Sequence, residues 1–296
     1  MTLLTRVMAA TTISTTLATS AVAQERGGVT PLSRAIRITD INLDWFGLNG
    51  SPSNSSESRA PTIKAFLTDH NLLGDVMVFE EIVNLPMLEH DVLGGKYTCH
   101  SYQRTDPKHQ HVVLCVGAGF TLEPVSASDG YALESVDTSG HLRPAVHGVL
   151  KNSAGKALAH IFGVHLKATP ASASVRLAQV AKLSDYLASE PTGLPVLLLG
   201  DVNSYDDFPQ MDSALEKVGL TQIEEDAPFT WASATESFAP AKLDRAWISS
   251  SSFADVQEHH VEGPCSSGDK TQIATYNHDV SDHCAVTMTV ALPGAE

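Results

Sequence analysis

The chain has 296 residues, 43% hydrophobic and 18% charged, with a formal charge of −15. That apolar content supports a substantial core and excludes an intrinsically disordered chain, while the acid excess works against tight, sequence-specific binding of nucleic acid. Past the first 23 residues no run of ~18 apolar residues occurs, so no membrane-spanning helix and no stable membrane association are expected.

In chain order, residues 1–23 read as an export signal. Arg6 is the positive end, Val7 to Ser20 is weakly apolar, and Ala21-Val22-Ala23 is a small-residue cleavage site. Residues 24–35 follow as a lead-in, and 36–296 form one domain, because no Pro/Gly/Ser linker separates two apolar halves. Removing the signal takes the formal charge to −16, since Arg6 is its only charged side chain. The expected product is a secreted or periplasmic monomer whose acid excess keeps it soluble.

Apolar or alternating runs predict strands over 36–43, 75–79, 111–116, 145–150, 159–164, 196–199, 243–248 and 285–292. Helices are predicted over 61–70, opening at Pro61, over 172–187, where apolar residues recur at helical spacing, and over 211–218. Residues 47–58 and 262–269 are rich in Gly, Ser, Pro and Asn and read as long surface loops.

Four cysteines lie beyond the signal, an even number in a chain bound for an oxidising compartment. Three pairings are possible. Cys99 with Cys115 and Cys265 with Cys284 is favoured because each closes a short loop, and a loop of ~15 residues is worth roughly 3 kcal/mol in the chain-entropy account. No CxxC or paired-His spacing accompanies them, so zinc is not expected.

Four apolar runs end in residues suited to metal binding or proton transfer. These are Glu81 in DVMVFEEI, His165 in IFGVHLKA, Asp201 and Asn203 in LLLGDVNSYDD, and Asp282 with His283 in SDHCAV. Strands that end in carboxylates, amides and imidazoles deliver hard oxygen donors and a proton acceptor to one sheet edge, where a hydrolytic cleft can form. Phosphodiester cleavage needs a cation, hydrogen-bond donors and one poised base, and this chain offers all three.

Further segments extend the pattern. Reading along the chain, NLDWF carries Asn42, DVMVFEE ends at Glu81, RPAV carries Arg143, and HLKA carries His165. GDVN then carries Asp201 and Asn203, LDR carries Asp244, and SDH carries Asp282 and His283. In this order the segments resemble those of the endonuclease/exonuclease/phosphatase superfamily, which includes pancreatic-type deoxyribonuclease, abasic-site endonucleases, sphingomyelinases and inositol-polyphosphate phosphatases. The resemblance runs from Asn42 to about Val290. Two positions depart from it: Glu80 stands where relatives often carry Gln, and Val202 where Phe is usual.

The resemblance implies a four-layer α/β/β/α sandwich, two packed mixed β-sheets flanked by helices, with the cleft at one end. It implies Glu81 as the central ligand of Mg²⁺, or of Mn²⁺ or Ca²⁺, with Asn42 and Asp282 bound directly or through water. His283 would take the proton of the attacking water while Asp244 holds its ring. Asp201 would orient the nucleophile and Asn203 a phosphate oxygen. His165 would contact the scissile phosphate or protonate the leaving oxygen. Arg143 would orient Glu81 or bind phosphate, and Lys167 would touch phosphate.

The expected activity is a divalent-metal-dependent phosphodiester hydrolase, a DNA endonuclease that binds its substrate weakly and with little sequence preference. A phosphatase or sphingomyelinase-like phospholipase is the alternative within the family, and a catalytically inactive binding module the alternative outside enzymes. Trp45 and Trp231 could line a substrate groove, with core packing the favoured role, and His109, His111, His259 and His260 are expected at surface or strand positions. Glu80 is expected to be solvated or to stand behind the metal ligands.

Overall fold

The computed structural model describes residues 34–48, 55–102, 110–125, 130–189, 193–224, 226–235, 239–249 and 256–292. The signal segment lies outside them, as does most of the lead-in.

The chain opens with β1 (Arg34–Phe46), α1 (Ser56–Asp69) and β2 (Val76–Ile82), then a short turn of helix, α2 (Leu85–Met87). Three strands follow, β3 (Thr98–His100), β4 (His111–Val116) and β5 (Phe120–Pro124), then β6 (Ala132–Leu133), β7 (Ala145–Asn152) and β8 (Ala157–His165). Next come α3 (Ala173–Ser189), β9 (Val196–Asp201), α4 (Phe208–Glu216), β10 (Leu220–Ile223) and β11 (Asp244–Ser249). The chain closes with β12 (Val256–Glu262), α5 (Lys270–Asp279) and β13 (Ala285–Leu292).

The strands form two mixed sheets. One has the order β12-β13-β1-β2-β4-β3, the other β10-β11-β9-β8-β7-β5, with β6 also pairing β7. β1 and β2 run parallel, as do β8 and β9, and the other pairs are antiparallel. Strand alternation gives each sheet two apolar faces. Ile36, Ile38, Val76, Val78, Leu114, Ile161, Leu197 and Leu199 meet in the layer between the sheets. Ile41, Leu43, Met77 and Phe79 face outward under Ile63 and Leu67 of α1, and Phe162, Val164, Leu198 and Trp247 lie under Val180, Leu183, Met211 and Leu215 of α3 and α4. Two sheets with helices outside make the four layers that the motifs imply.

Several elements differ from the periodicity reading. Helix α1 starts at Ser56, not Pro61, because Ser55 caps it by accepting from the Ser58 N–H at 3.4 Å, and Pro61 sits inside the helix. Helix α5 was not expected, since Ile273 is its single buried residue and no apolar stripe marks it; Asp269 caps it through the Thr271 and Gln272 N–H groups. The short strands β3, β5, β6, β10 and β12 also went unread. Both favoured disulfides are present, Cys99–Cys115 across β3 and β4 and Cys265–Cys284 beside β13.

Candidate active site

The apolar layer between the sheets turns polar at one end. Along β1 the inward positions read Ile36, Ile38, Asp40, Asn42; along β2, Val76, Val78, Glu80; along β8, Ile161, Gly163, His165; along β9, Leu197, Leu199, Asp201. Each polar residue occupies the next position on the same face, so the strands that build the core also carry the site. Asp40, Asn42, Glu80, His165, Asp201 and Asp244 are all buried there.

Glu81 reaches this end by a different route. Simple alternation would send it outward with Met77 and Phe79. Instead the β2 register slips by one residue against β4, between Phe79↔Val113 and Ile82↔His111, and Glu81 takes a left-handed φ of 59°. This bulge re-aims the side chain. Its carboxylate accepts from Trp45 N (3.1 Å), Gln110 Nε2 (2.5 Å) and Asn42 Nδ2 (3.3 Å). Asp44, Trp45 and Asn203 also hold positive φ, so strained backbone gathers around the site. Burial raises the Glu81 pKa to about 7, against the pull of Arg143.

Asp201 lies at the centre. It accepts from Asn42 Nδ2 at 3.1 Å and from the Asn203 N–H at 2.9 Å, with His165 Nε2 at 3.4 Å and His283 Nε2 at 3.7 Å. Burial lifts its pKa to about 7, with His283 opposing. The preceding Gly200 has φ 136°, and a Cβ there would stand 2.1 Å from Val164 O and 3.0 Å from Glu80 Oε1, so only glycine fits this approach of β9 to β8. His165 Nε2 lies 3.8 Å from Glu81 Oε1, between the two carboxylates. Burial, then Arg143, His283 and Lys167, hold its pKa well below the usual imidazole value, so the ring is neutral.

His283 gives its Nδ1 to both oxygens of Asp244, at 2.8 and 3.1 Å, which leaves Nε2 facing Asp201 and, at 4.0 Å, Asp282 Oδ1. Burial opposes its charge, but Asp244 and Asp201 outweigh it and raise the pKa well above the ordinary value. The segment Thr230–Trp231 clamps this pair together. Thr230 Oγ1 accepts from the Leu243 and Asp244 N–H groups, and Thr230 O accepts from the Cys284 N–H. Ser281 Oγ donates to Asn42 O at 2.6 Å and accepts from the His283 N–H, joining this end of the chain to β1.

The ten residues singled out from sequence take unequal places. Glu81, His165, Asp201, Asp244 and His283 share one linked cluster, with Asn42 and Asp282 beside it. Asn42 enters as a donor to Glu81 and Asp201 while its own oxygen accepts from the Asp44 N–H. The Asn203 amide donates to Leu166 O. Arg143 spends its guanidinium on Gln110 Oε1, His165 O and Leu166 O, so it bears on Glu81 through Gln110 and is not free for phosphate. Lys167 is fixed by its backbone, to Gln179 Oε1 and Arg176 Nη1. Glu80 is not solvated: it is fully buried beside Asp40, and a proton shared between the two carboxyls makes the hydrogen bond that joins them. Burial pushes both pKa values well up.

Gln110, Trp231 and Arg59 had no signal in sequence. Each acts through one side chain brought in from a distant segment, and packing or groove lining, the roles a tryptophan suggests by itself, do not point to the hydrogen bond that Trp231 makes.

Two donor sets compete for a cation. Ligand atoms of Asp201, Asp244 and His283 lie within 4.8 Å of one another. Yet Asp244 is fully engaged by the imidazole, which suits a proton-transfer pair better than a hard ion. Glu81 and Asp282 offer the oxygen donors that Mg²⁺, Mn²⁺ or Ca²⁺ prefer, and the partly buried Glu81 carboxylate, whose charge desolvation disfavours, is what a divalent cation would relieve. The residues present therefore fit such an ion.

The sequence model of the Endonuclease/Exonuclease/phosphatase family matches residues 42–283. No curated protein sequence matches the chain. Among solved structures, TDP2 from C. elegans is similar at 20% identity and TM-score 0.62, covering 87% of this chain and 75% of that one. An endonuclease/exonuclease/phosphatase from Bacteroides vulgatus is similar at 15% identity and TM-score 0.63, covering 88% and 99%. D. rerio TDP2, solved in complex with a single-strand DNA product, is similar at 14% identity and TM-score 0.62, covering 86% and 98%.

Proposed function

The chain belongs to the Endonuclease/Exonuclease/phosphatase family of metal-dependent phosphoric ester hydrolases, and from that premise we propose that it is an exported endonuclease that cleaves DNA with little sequence preference. The observation that carries the chemistry is the buried His283–Asp244 pair, whose free Nε2 faces the cleft beside Asp201 and Asp282.

Glu81 and Asp282 would hold the cation, with Asn42 donating to Glu81. When bound, the cation supplies Lewis-acid charge to the phosphate oxygens and works against the proton on His283, freeing its base form. Asp244 fixes the ring so that Nε2 takes the proton of the attacking water. Asp201 orients that water. His165 donates Nε2–H to a non-bridging phosphate oxygen, the ester P–O bond breaks as the new one forms, and the leaving oxygen departs as an alkoxide whose charge a bound cation would offset and which solvent water protonates.

DNA as the substrate is supported by the single-strand product bound to the D. rerio neighbour. The formal charge of −15 supports weak, non-specific contact. Export to the periplasm or beyond is supported by the Ala21-Val22-Ala23 cleavage pattern and the two disulfides. A monomer is the proposed state.

The test is incubation of the purified chain with plasmid DNA, RNA, sphingomyelin and bis(p-nitrophenyl) phosphate, each with Mg²⁺, Mn²⁺, Ca²⁺ or chelator. Metal-dependent nicking of plasmid is expected, and His283→Ala should lower turnover by ~10² or more. Cleavage of sphingomyelin alone, or a His283→Ala rate near wild type, would overturn the substrate or the base respectively.

A further inference from the structure

Asp282 differs from the other acids of the cluster in that its side chain is 31% exposed. A carboxylate so placed is free to turn unless something holds it. Trp231 does: its indole Nε1–H donates to Asp282 Oδ2 at 2.9 Å. Both ends of that bond are anchored. The Trp231 backbone bridges Ala241 on one side and His283 on the other, and the Ala232 N–H donates to Asp282 O at 3.1 Å. The ring and the carboxylate therefore spring from backbones already paired, and little rotamer freedom remains to be lost.

The chemistry of the donor is also selective. An indole N–H donates one hydrogen bond, accepts none and never ionises, so it fixes Oδ2 without neutralising the carboxylate. Lys or Arg in its place would compete with a cation for the same charge. Oδ1 is left on the side of His283 Nε2.

We propose that Trp231 is a positioning residue that holds Asp282 in its cation-binding orientation. The inference rests on reading Asp282 as a ligand. The competing account is that a largely buried tryptophan, 8% exposed, simply needs an acceptor for its N–H. The two diverge once the N–H is removed and the ring kept.

The experiment is calorimetric titration of Mg²⁺ into the metal-free wild type, Trp231→Phe, Asp282→Ala and the double variant, with hydrolysis of bis(p-nitrophenyl) phosphate alongside. Trp231→Phe should bind Mg²⁺ ~10-fold more weakly, recover its kcat at saturating Mg²⁺, and keep its KM for the ester. In the Asp282→Ala background the same change should have no further effect. Unchanged affinity in Trp231→Phe, or an equal loss in both backgrounds, overturns the proposal.

A second measurement needs no variant. Of the three tryptophans, Trp247 bonds Asp212 away from the cleft. In ¹⁵N-indole-labelled wild type, Mg²⁺ should shift the Trp231 N–H resonance and leave that of Trp247 in place; an unmoved Trp231 signal overturns the positioning role. Mg²⁺ binding without hydrolysis of any phosphoester overturns the proposed function alone. A wild type that binds no divalent cation overturns the ligand reading and this inference together.

Discussion

Arg59 offers the sharpest test of how the fold holds the site. It is fully buried beneath the cleft, and its guanidinium donates to Leu43 O (2.7 Å), Val280 O (2.5 Å) and Asp44 O (2.9 Å). Two of these carbonyls belong to the last residues of β1, after Asn42, and the third precedes Ser281–Asp282–His283, so one side chain ties together the two segments that present the candidate metal ligands. Arg59→Met keeps much of the length and removes all three donors. The Asp44 carbonyl is partly exposed and can rehydrate, leaving two orphaned carbonyls at ~1–3 kcal/mol each. Burying a guanidinium is itself costly, as its depressed pKa records, and the methionine avoids that cost. Arg59 also offsets Asp282, Asp44 and Glu81, however, and that compensation is lost. These effects leave a net destabilisation of about 3–4 kcal/mol. At ~2–4 °C per kcal/mol for a domain of this size, Tm should fall by about 10 °C. Urea unfolding of the metal-free chain, followed by far-ultraviolet circular dichroism, measures the loss directly. A change below ~1 kcal/mol would mean that the desolvation of the guanidinium cancels its bonds, and the account of Arg59 as the tie would be wrong.

Two further predictions follow from the same charges. Mg²⁺ at 100 times its dissociation constant should stabilise the fold by ~2.7 kcal/mol, reversibly with chelator, and Glu81→Gln should abolish the shift; an equal shift in that variant would remove Glu81 from the site. Away from the cleft, Asp226 accepts from His260 Nδ1 at 2.6 Å and from the Val261 N–H at 2.9 Å, and Glu262 meets His260 Nε2 at 3.1 Å. The Asp226 hydrogen bond raises the His260 pKa, while burial of Asp226 is outweighed by His260 and its own pKa is lowered. A raised imidazole stabilises fully below its ordinary 6.5 and loses that stability as pH rises through the folded value; a depressed carboxyl does so above its ordinary 3.8 and loses it as pH falls. The clasp is thus most intact between those two values. Hydrogen exchange at Val261, corrected for intrinsic rate, should lose up to about fivefold protection from pH 6 to pH 9, the limit for a pair this exposed, and constant protection would refute it.

What was legible in the sequence is what alternation and chain order encode. Asp201 and His165 stand two residues beyond Leu199 and Gly163 on the same strand face, so an apolar run ending in a polar residue was enough to place them. Glu81 was legible for another reason. Its motif pointed to it, but its face depends on a bulge and a left-handed φ that no local propensity for glutamate predicts. Gln110 and Trp231 were illegible because their function lies in one hydrogen bond across 29 and 51 residues of sequence. Helix α1 was misplaced because Pro61 is a strong start signal, while the true cap, Ser55, lies in a run of serines that reads as loop. Short edge strands such as β3, three residues that pair with β4 alone, carry too few alternations to stand out.

The same continuity sets the energetics of the molecule. Ile38, Val78 and Leu199 each bury an apolar side chain worth ~1.5–3 kcal/mol, and two residues further along the same faces stand Asp40, Glu80 and Asp201, whose burial raises every one of their pKa values. Stability falls along each strand toward the cleft as chemical capability rises. The compensating positive charges are Arg59 and His283, both buried, and the half-buried Arg143, and they are held mainly by carbonyls, an amide and Asp244. Two further buried acids, Asp40 and Glu80, pair with each other. A sheet end that concentrates acids faster than it supplies cations is unfavourable as a piece of core. It becomes intelligible once a divalent ion is part of the native state, because the acid excess that burdens the metal-free fold is what gives the ion its site.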